Sequence, residues 1–103
     1  MIVFNTTYCV DKKISAGLLR YLKETYIPSV LLSGKLENAR LYRVHGSDDE
    51  GGENYSLQFE VDSVDVLEGW YAGVGSALHN ALLKCFGEQV AAFATLLHPV
   101  EIE

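Results

Sequence analysis

The sequence predicts an α+β domain in which four antiparallel strands form one sheet and two helices cover one of its faces. Three observations carry this reading. The spacing of apolar residues switches between two and about 3.6 along the chain, in the order strand, helix, strand, strand, helix, strand. The stretch Arg40 to Asp62 reads as two strands folded back across an acidic, glycine-containing loop, so the order is symmetric about a hairpin. At 103 residues, 49% of them hydrophobic, the chain suits one domain over residues 1–103 with one modest core, and two domains would each be too small.

Each element has its own justification. Ile2 to Val10 is rich in β-branched and aromatic residues, with Ile2, Phe4, Tyr8 and Val10 on one parity and Val3, Asn5, Thr7 and Cys9 on the other. Asp11 stands at an N-cap position, and Ile14, Leu18, Leu22 and Tyr26 then recur at helical spacing. Pro28 has no backbone donor, which predicts a break or kink near Ile27 before the helix ends at Gly34. Ala39 to His45 alternates poorly, placing Arg40, Tyr42 and Val44 against Leu41, Arg43 and His45, as suits an edge strand. Tyr55, Leu57, Phe59 and Val61 alternate cleanly with Ser56, Gln58, Glu60 and Asp62. Asp62 or Ser63 opens the second helix, whose predicted buried stripe is Leu67, Tyr71, Val74, Leu78, Leu82 and Phe86, ending at Gly87. Gly69, Gly73 and Gly75 each cost about 1 kcal/mol relative to Ala, so Gly69 to Ser76 is the weak part of that helix and a place for a kink. Gln89 to Val100 is the last strand, stopped or bent at Pro99.

Right-handed crossovers in this order give the ferredoxin-like arrangement βαββαβ, with strands one and three central. A sheet of this kind leaves one face open. Strand three turns polar residues to it, whereas strand four is apolar on both parities, and a strand apolar on both sides is normally covered on both. A second copy packed over the open face as a two-fold homodimer meets that requirement.

Charge and targeting signals restrict the function classes. A net charge of −6 opposes binding to a phosphate backbone or an anionic membrane surface. Cys9 and Cys85 are too few for a disulfide framework, which points to a reduced, cytoplasmic setting. The N-terminal MIVFNTTYCVD has no basic region or cleavage pattern, and no segment holds the ~20 apolar residues that span a bilayer.

No motif declares a reaction. The acidic loop at residues 47–53 lacks the ligand spacing of a calcium loop and reads as a solvated turn. His45, His79, His98, Cys9 and Cys85 offer no pair with zinc-site spacing, so neither a metal nor a cofactor is expected. Gly73 to Ser76 starts like a dinucleotide fingerprint but has Leu78 at the third glycine and no strand leading in. What remains is the open face. Asn5 and Thr7 on strand one and Gln58 and Glu60 on strand three converge there, with Arg43 or Arg40 joining from the edge and Thr95 or His98 from strand four. Buried polar groups need partners, so this set bonds internally, to water or to a small-molecule ligand. Trp70 and Tyr71 on the weak helix border such a cavity, or Tyr71 is core and Trp70 surface.

The segments IVFNTT, KETYIPSVLLSG, YSLQFEV and FGEQVAAFATLL resemble a bacterial family of uncharacterised single-domain proteins with the ferredoxin-like fold, similar to the dimeric α/β barrels. The resemblance runs nearly the whole length and implies fold and dimerisation, with no activity to carry over. Tyr26 stands where it leads one to expect His, and Ala94 and His98 where it leads one to expect Arg and an acidic residue. The primary expectation is therefore a homodimeric ligand-binding or interaction module using the open face. By fold analogy, the alternative is a cofactor-independent enzyme, mono-oxygenase or isomerase-like, with Asn5 and His98 polarising a substrate between two sheets.

Overall fold

The computed structural model describes residues 1–46 and 52–102. Strands β1 (Ile2–Asp11), β2 (Leu36–Arg43), β3 (Gly52–Val61) and β4 (Val90–Leu97) form one antiparallel sheet in the order β2-β3-β1-β4. The centre of the acidic loop, residues 47–51, lies outside the described residues.

The first helical layer is continuous at Ile27, where the sequence predicts a break or kink, and a π-turn stands just ahead of it. Helix α1 (Ser15–Tyr21) passes through a π-turn at Leu22–Tyr26 into α2 (Ile27–Leu32), with Pro28 in the first turn of α2. The Ile27 amide reaches back five residues to the Leu22 carbonyl, and the extra residue in that turn accommodates the proline without ending the helix. Asp11 caps the entry, its carboxylate accepting from the Lys13 amide at 2.9 Å.

The second layer repeats the device. Helix α3 (Val64–Trp70) runs through a π-turn at Tyr71–Gly75 into α4 (Ser76–Phe86), and Ser63 caps it by accepting from the Val66 amide at 3.2 Å. The inserted residue changes which side chains face the core. Leu67 and Trp70 are buried ahead of the turn, Gly75 at its last position and Leu82 after it, whereas Tyr71 and Val74 are 40% and 45% exposed. The uniform stripe through Tyr71 and Val74 is thus corrected, because a spacing of five residues replaces one of three or four across the turn. Trp70 is core and Tyr71 is surface. Gly87, at φ 63°, ends α4 in the left-handed region that glycine tolerates.

Strand β2 begins at Leu36, three residues before the sequence pattern suggested. Glu37 pairs with Glu60 and Arg40 with Gln58, so Asn38 and Ala39 together oppose Phe59 in a bulge. Asn38 takes the left-handed conformation, φ 57°, that asparagine accepts more readily than most residues. The bulge reverses the parity of β2 between Leu36 and Arg40, and the strand looked mixed because Arg43 shares the helix-facing parity with Leu41. Arg40 and Tyr42 lie on the open face, while Leu41 and Arg43 pair with Leu57 and Tyr55 on the helix-facing parity.

The core lies between helices and sheet. Ile2, Phe4, Tyr8 and Val10 of β1 and Tyr55, Leu57, Phe59 and Val61 of β3 are buried against Leu18, Leu22, Tyr26, Val30, Leu67, Trp70 and Leu82. Each such large apolar side chain contributes about 1.5–3 kcal/mol on burial. Edge-to-face contacts of Phe4 with Trp70, 6.3 Å between centroids, and Tyr21 with Phe86, 5.6 Å, tie sheet to helix and helix to helix.

Candidate functional site

The two faces of the sheet differ in how their polar groups are satisfied. On the open face the central strands hold a chain of mutual hydrogen bonds. Ser56 Oγ donates to Asn5 Oδ1 at 2.5 Å, Asn5 Nδ2 donates to Thr7 Oγ1 at 3.2 Å, and Gln58 Nε2 donates to Ser56 Oγ at 3.4 Å. At the β2 side, Asn38 Nδ2 donates to Glu60 Oε1 at 2.6 Å, so the bulge serves this face too. Thr95 is opposite Asn5 in the register.

Of the residues singled out from sequence, Asn5, Thr7, Gln58, Glu60 and Thr95 therefore share the open face. Arg43 does not join them, because the β2 bulge sends it to the opposite parity, and Arg40 takes that place. Arg43 acts instead on Glu53, whose carboxyl is held below its ordinary pKa chiefly by the hydrogen bond that Tyr55 donates at 2.6 Å, with Ser15, Arg43 and Lys12 adding to it against the opposing effect of burial. His98 lies beyond the end of β4 and is exposed.

On the helix side a cleft of about 460 Å³ opens between the second helical layer and the β1–β4 half of the sheet. Its walls are Phe4, Leu67, Tyr71, Ala72 and Phe93, and its polar lining comes from Thr6, Tyr26, Glu68 and His79. Two features of the chain create it. The helix-facing positions of β4 pair with Tyr8 and Thr6 through Ala92 and Ala94, whose methyl groups leave unfilled the space a larger residue would take. The π-turn then carries Trp70 into the core and sets Tyr71 and Ala72 on the rim. The volume and the mostly apolar walls with few polar groups are those of small-molecule sites.

Burial of the tyrosines sets their electrostatics. Desolvation raises the Tyr26 hydroxyl, with Tyr71 and Tyr21 pushing the same way, to about 12 even though its interaction with Tyr8 lowers it. Tyr8, 0% exposed, is raised further, again chiefly by desolvation and then by Tyr26. Both are protonated at neutral pH. The Tyr8 hydroxyl is buried with no hydrogen-bond partner of normal geometry among the described residues.

Sequence reasoning looked to the open face and missed this cleft. A signal for it was present: Tyr26 and Ala94, two of the three departures from the family resemblance, both line it. So were the three alanines of the last strand, Ala91, Ala92 and Ala94.

Fold and topology define a ferredoxin-like α+β domain. The chain belongs to the DUF4286 family, a domain of unknown function, whose pattern matches residues 1–100. A comparison with functionally curated proteins returns no match. Among solved structures, HapK from Hahella chejuensis is similar with a TM-score of 0.72 at 6% identity, over 100% of this chain and 96% of that one. An antibiotic biosynthesis monooxygenase is similar with a TM-score of 0.69 at 12% identity, over 98% of this chain and 100% of that one. A dimeric ferredoxin-like protein from an uncultured marine organism has a TM-score of 0.61 at 12% identity, over 98% and 97% of the two chains. At these identities the likeness is one of fold. Among the described residues no helix is long and apolar enough to cross a membrane.

Proposed function

We propose that the chain is a homodimeric small-molecule-binding protein whose sheet divides the work between its faces, the open face joining a second copy and the helix-side cleft taking the ligand. The observation that carries this division is the contrast in polar groups. Open-face Asn5, Thr7, Ser56 and Gln58 are bonded to one another, as suits an interface, while the cleft keeps polar groups in apolar walls.

The dimer half of the reading has its own support. The open-face positions of β1 and β4, Val3, Asn5, Thr7, Cys9, Ala91, Phe93, Thr95 and Leu97, carry no charge, so two copies approach there without like-charge repulsion despite the net charge of −6. Leu97 is 43% exposed, apolar surface that a second copy would remove from water. The fold neighbour described as dimeric agrees with it.

A second reading, the cofactor-independent mono-oxygenase or isomerase, moves with the site to the cleft, where His79 is the side chain suited to proton transfer. Asn5, with both amide atoms engaged, no longer supplies a free polarising group. Native mass spectrometry of the purified protein tests the main reading. A dimer mass with a retained small molecule is expected, and Leu97→Glu converts it to a monomer by placing two like charges across the interface. A monomeric wild-type protein at micromolar concentration contradicts the dimer, and turnover of the retained molecule favours the enzyme.

A further inference from the structure

The orphan hydroxyl of Tyr8 points to the kind of molecule the cleft accepts. This step rests on reading the cleft as a ligand site. Tyr8 lies on β1, enclosed on the helix side, and its oxygen makes no hydrogen bond of normal geometry among the described residues, only looser interactions with Tyr26 and Thr6. A hydroxyl held dry and poorly paired is costly, and native proteins rarely leave one so. Its electrostatic neighbours are Tyr26, from the first helical layer, and Thr6, on the same face of β1. Tyr26 and Thr6 line the cleft and Tyr8 does not, so Tyr26 stands between the orphan and the cavity.

A phenol hydroxyl donates one hydrogen and can accept another. When the Tyr26 hydrogen points to an acceptor in the cleft, its oxygen is left to receive the hydrogen of Tyr8, and both groups are satisfied in series, each strengthening the other. Tyr26 stays a donor across the physiological range because burial holds its proton. The acceptor is a neutral one, since the chain carries net charge −6 and Glu68 stands at the same cleft. The remaining walls, Phe4, Leu67, Tyr71 and Phe93, are apolar and mostly aromatic.

We propose that the cleft takes an uncharged, ring-containing apolar molecule bearing a carbonyl oxygen, which receives the hydrogen bond of Tyr26 while Tyr26 receives that of Tyr8.

The test compares two probes of nearly equal shape, 2-acetylnaphthalene with its carbonyl and 2-ethylnaphthalene without it, by equilibrium dialysis against the wild-type protein. The ketone is expected to bind about tenfold more tightly, the worth of one buried neutral hydrogen bond. Tyr26→Phe brings the two probes to equal affinity, and Tyr8→Phe, which keeps the fold and the Tyr26 donor, reduces the preference to about fivefold because the relay is cut. Equal binding of both probes to the wild type overturns this inference and leaves the cleft a ligand site. An undiminished preference in Tyr8→Phe overturns the relay. Failure of both probes to bind overturns the cleft reading itself.

Discussion

Tyr8 and Ala94 show how single residues decide this molecule. Tyr8 has a rigid, fully enclosed ring, yet its hydroxyl gains no hydrogen bond of normal geometry in the free protein. Tyr8→Phe removes the unpaired group and keeps the ring, so it should stabilise the unliganded protein by about 1 kcal/mol, raising Tm by roughly 4–8 °C in a domain of this size. A lower Tm would mean that the hydroxyl is well bonded in solution. The same burial gives a pH dependence. Tyr26 titrates at about 12 in the folded chain against 10.0 ordinarily, so the folded state holds its proton more tightly than the unfolded. Its contribution is complete below pH 10 and lost as pH rises from there toward 12. Urea midpoints should accordingly fall above pH 10, with tyrosinate absorbance from the buried pair appearing only as the chain unfolds.

At the scale of elements, the strands and caps were legible in the sequence and the helix registers were not. The alternation of Tyr55, Leu57, Phe59 and Val61 reports a face directly, because strand geometry has a fixed period of two. Helix periodicity is legible only while each turn holds 3.6 residues. A π-turn inserts one residue and leaves no composition signature beyond the glycines and Pro28 near it, so Trp70 and Tyr71 exchanged roles. The choice between Arg43 and Arg40 was equally illegible, because the bulge at Asn38 and Ala39 sets which parity of β2 faces the helices and leaves no trace in the alternation after it. Gly75 is where the second π-turn becomes testable. A Cβ there would sit 2.4 Å from the Trp70 ring, whereas one at Gly69 meets nothing within 4 Å. Gly75→Ala should therefore destabilise by about 1–3 kcal/mol through overpacking and shift Trp70 fluorescence to the red. Gly69→Ala should stabilise by about 0.5–1 kcal/mol from helix propensity. Equal effects in urea unfolding would contradict the packing of Trp70 onto Gly75.

For the whole molecule, the topology that places β1 and β3 at the centre gives each of them two tasks. One parity builds the core and borders the cleft, and the other carries the hydrogen-bonded polar row of the open face. The fold and that open face were readable because both follow from alternation along strands. The cleft was not, since it arises from what is missing above Ala92 and Ala94 and from a helix register that changes in mid-course. The proposed division, with the ligand on the helix side and the partner on the open side, would keep binding and assembly separate, so a variant that fills the cleft should leave the assembly intact. Protein NMR with 2-acetylnaphthalene tests this division most directly. Shifts are expected to centre on the cleft, at Tyr26, Leu67, Tyr71, His79, Ala92 and Ala94, and to be abolished by Ala94→Phe with no change in molecular mass by light scattering. Shifts centred on Asn5, Ser56, Gln58 and Thr95, persisting in Ala94→Phe, would place the ligand on the open face and contradict it.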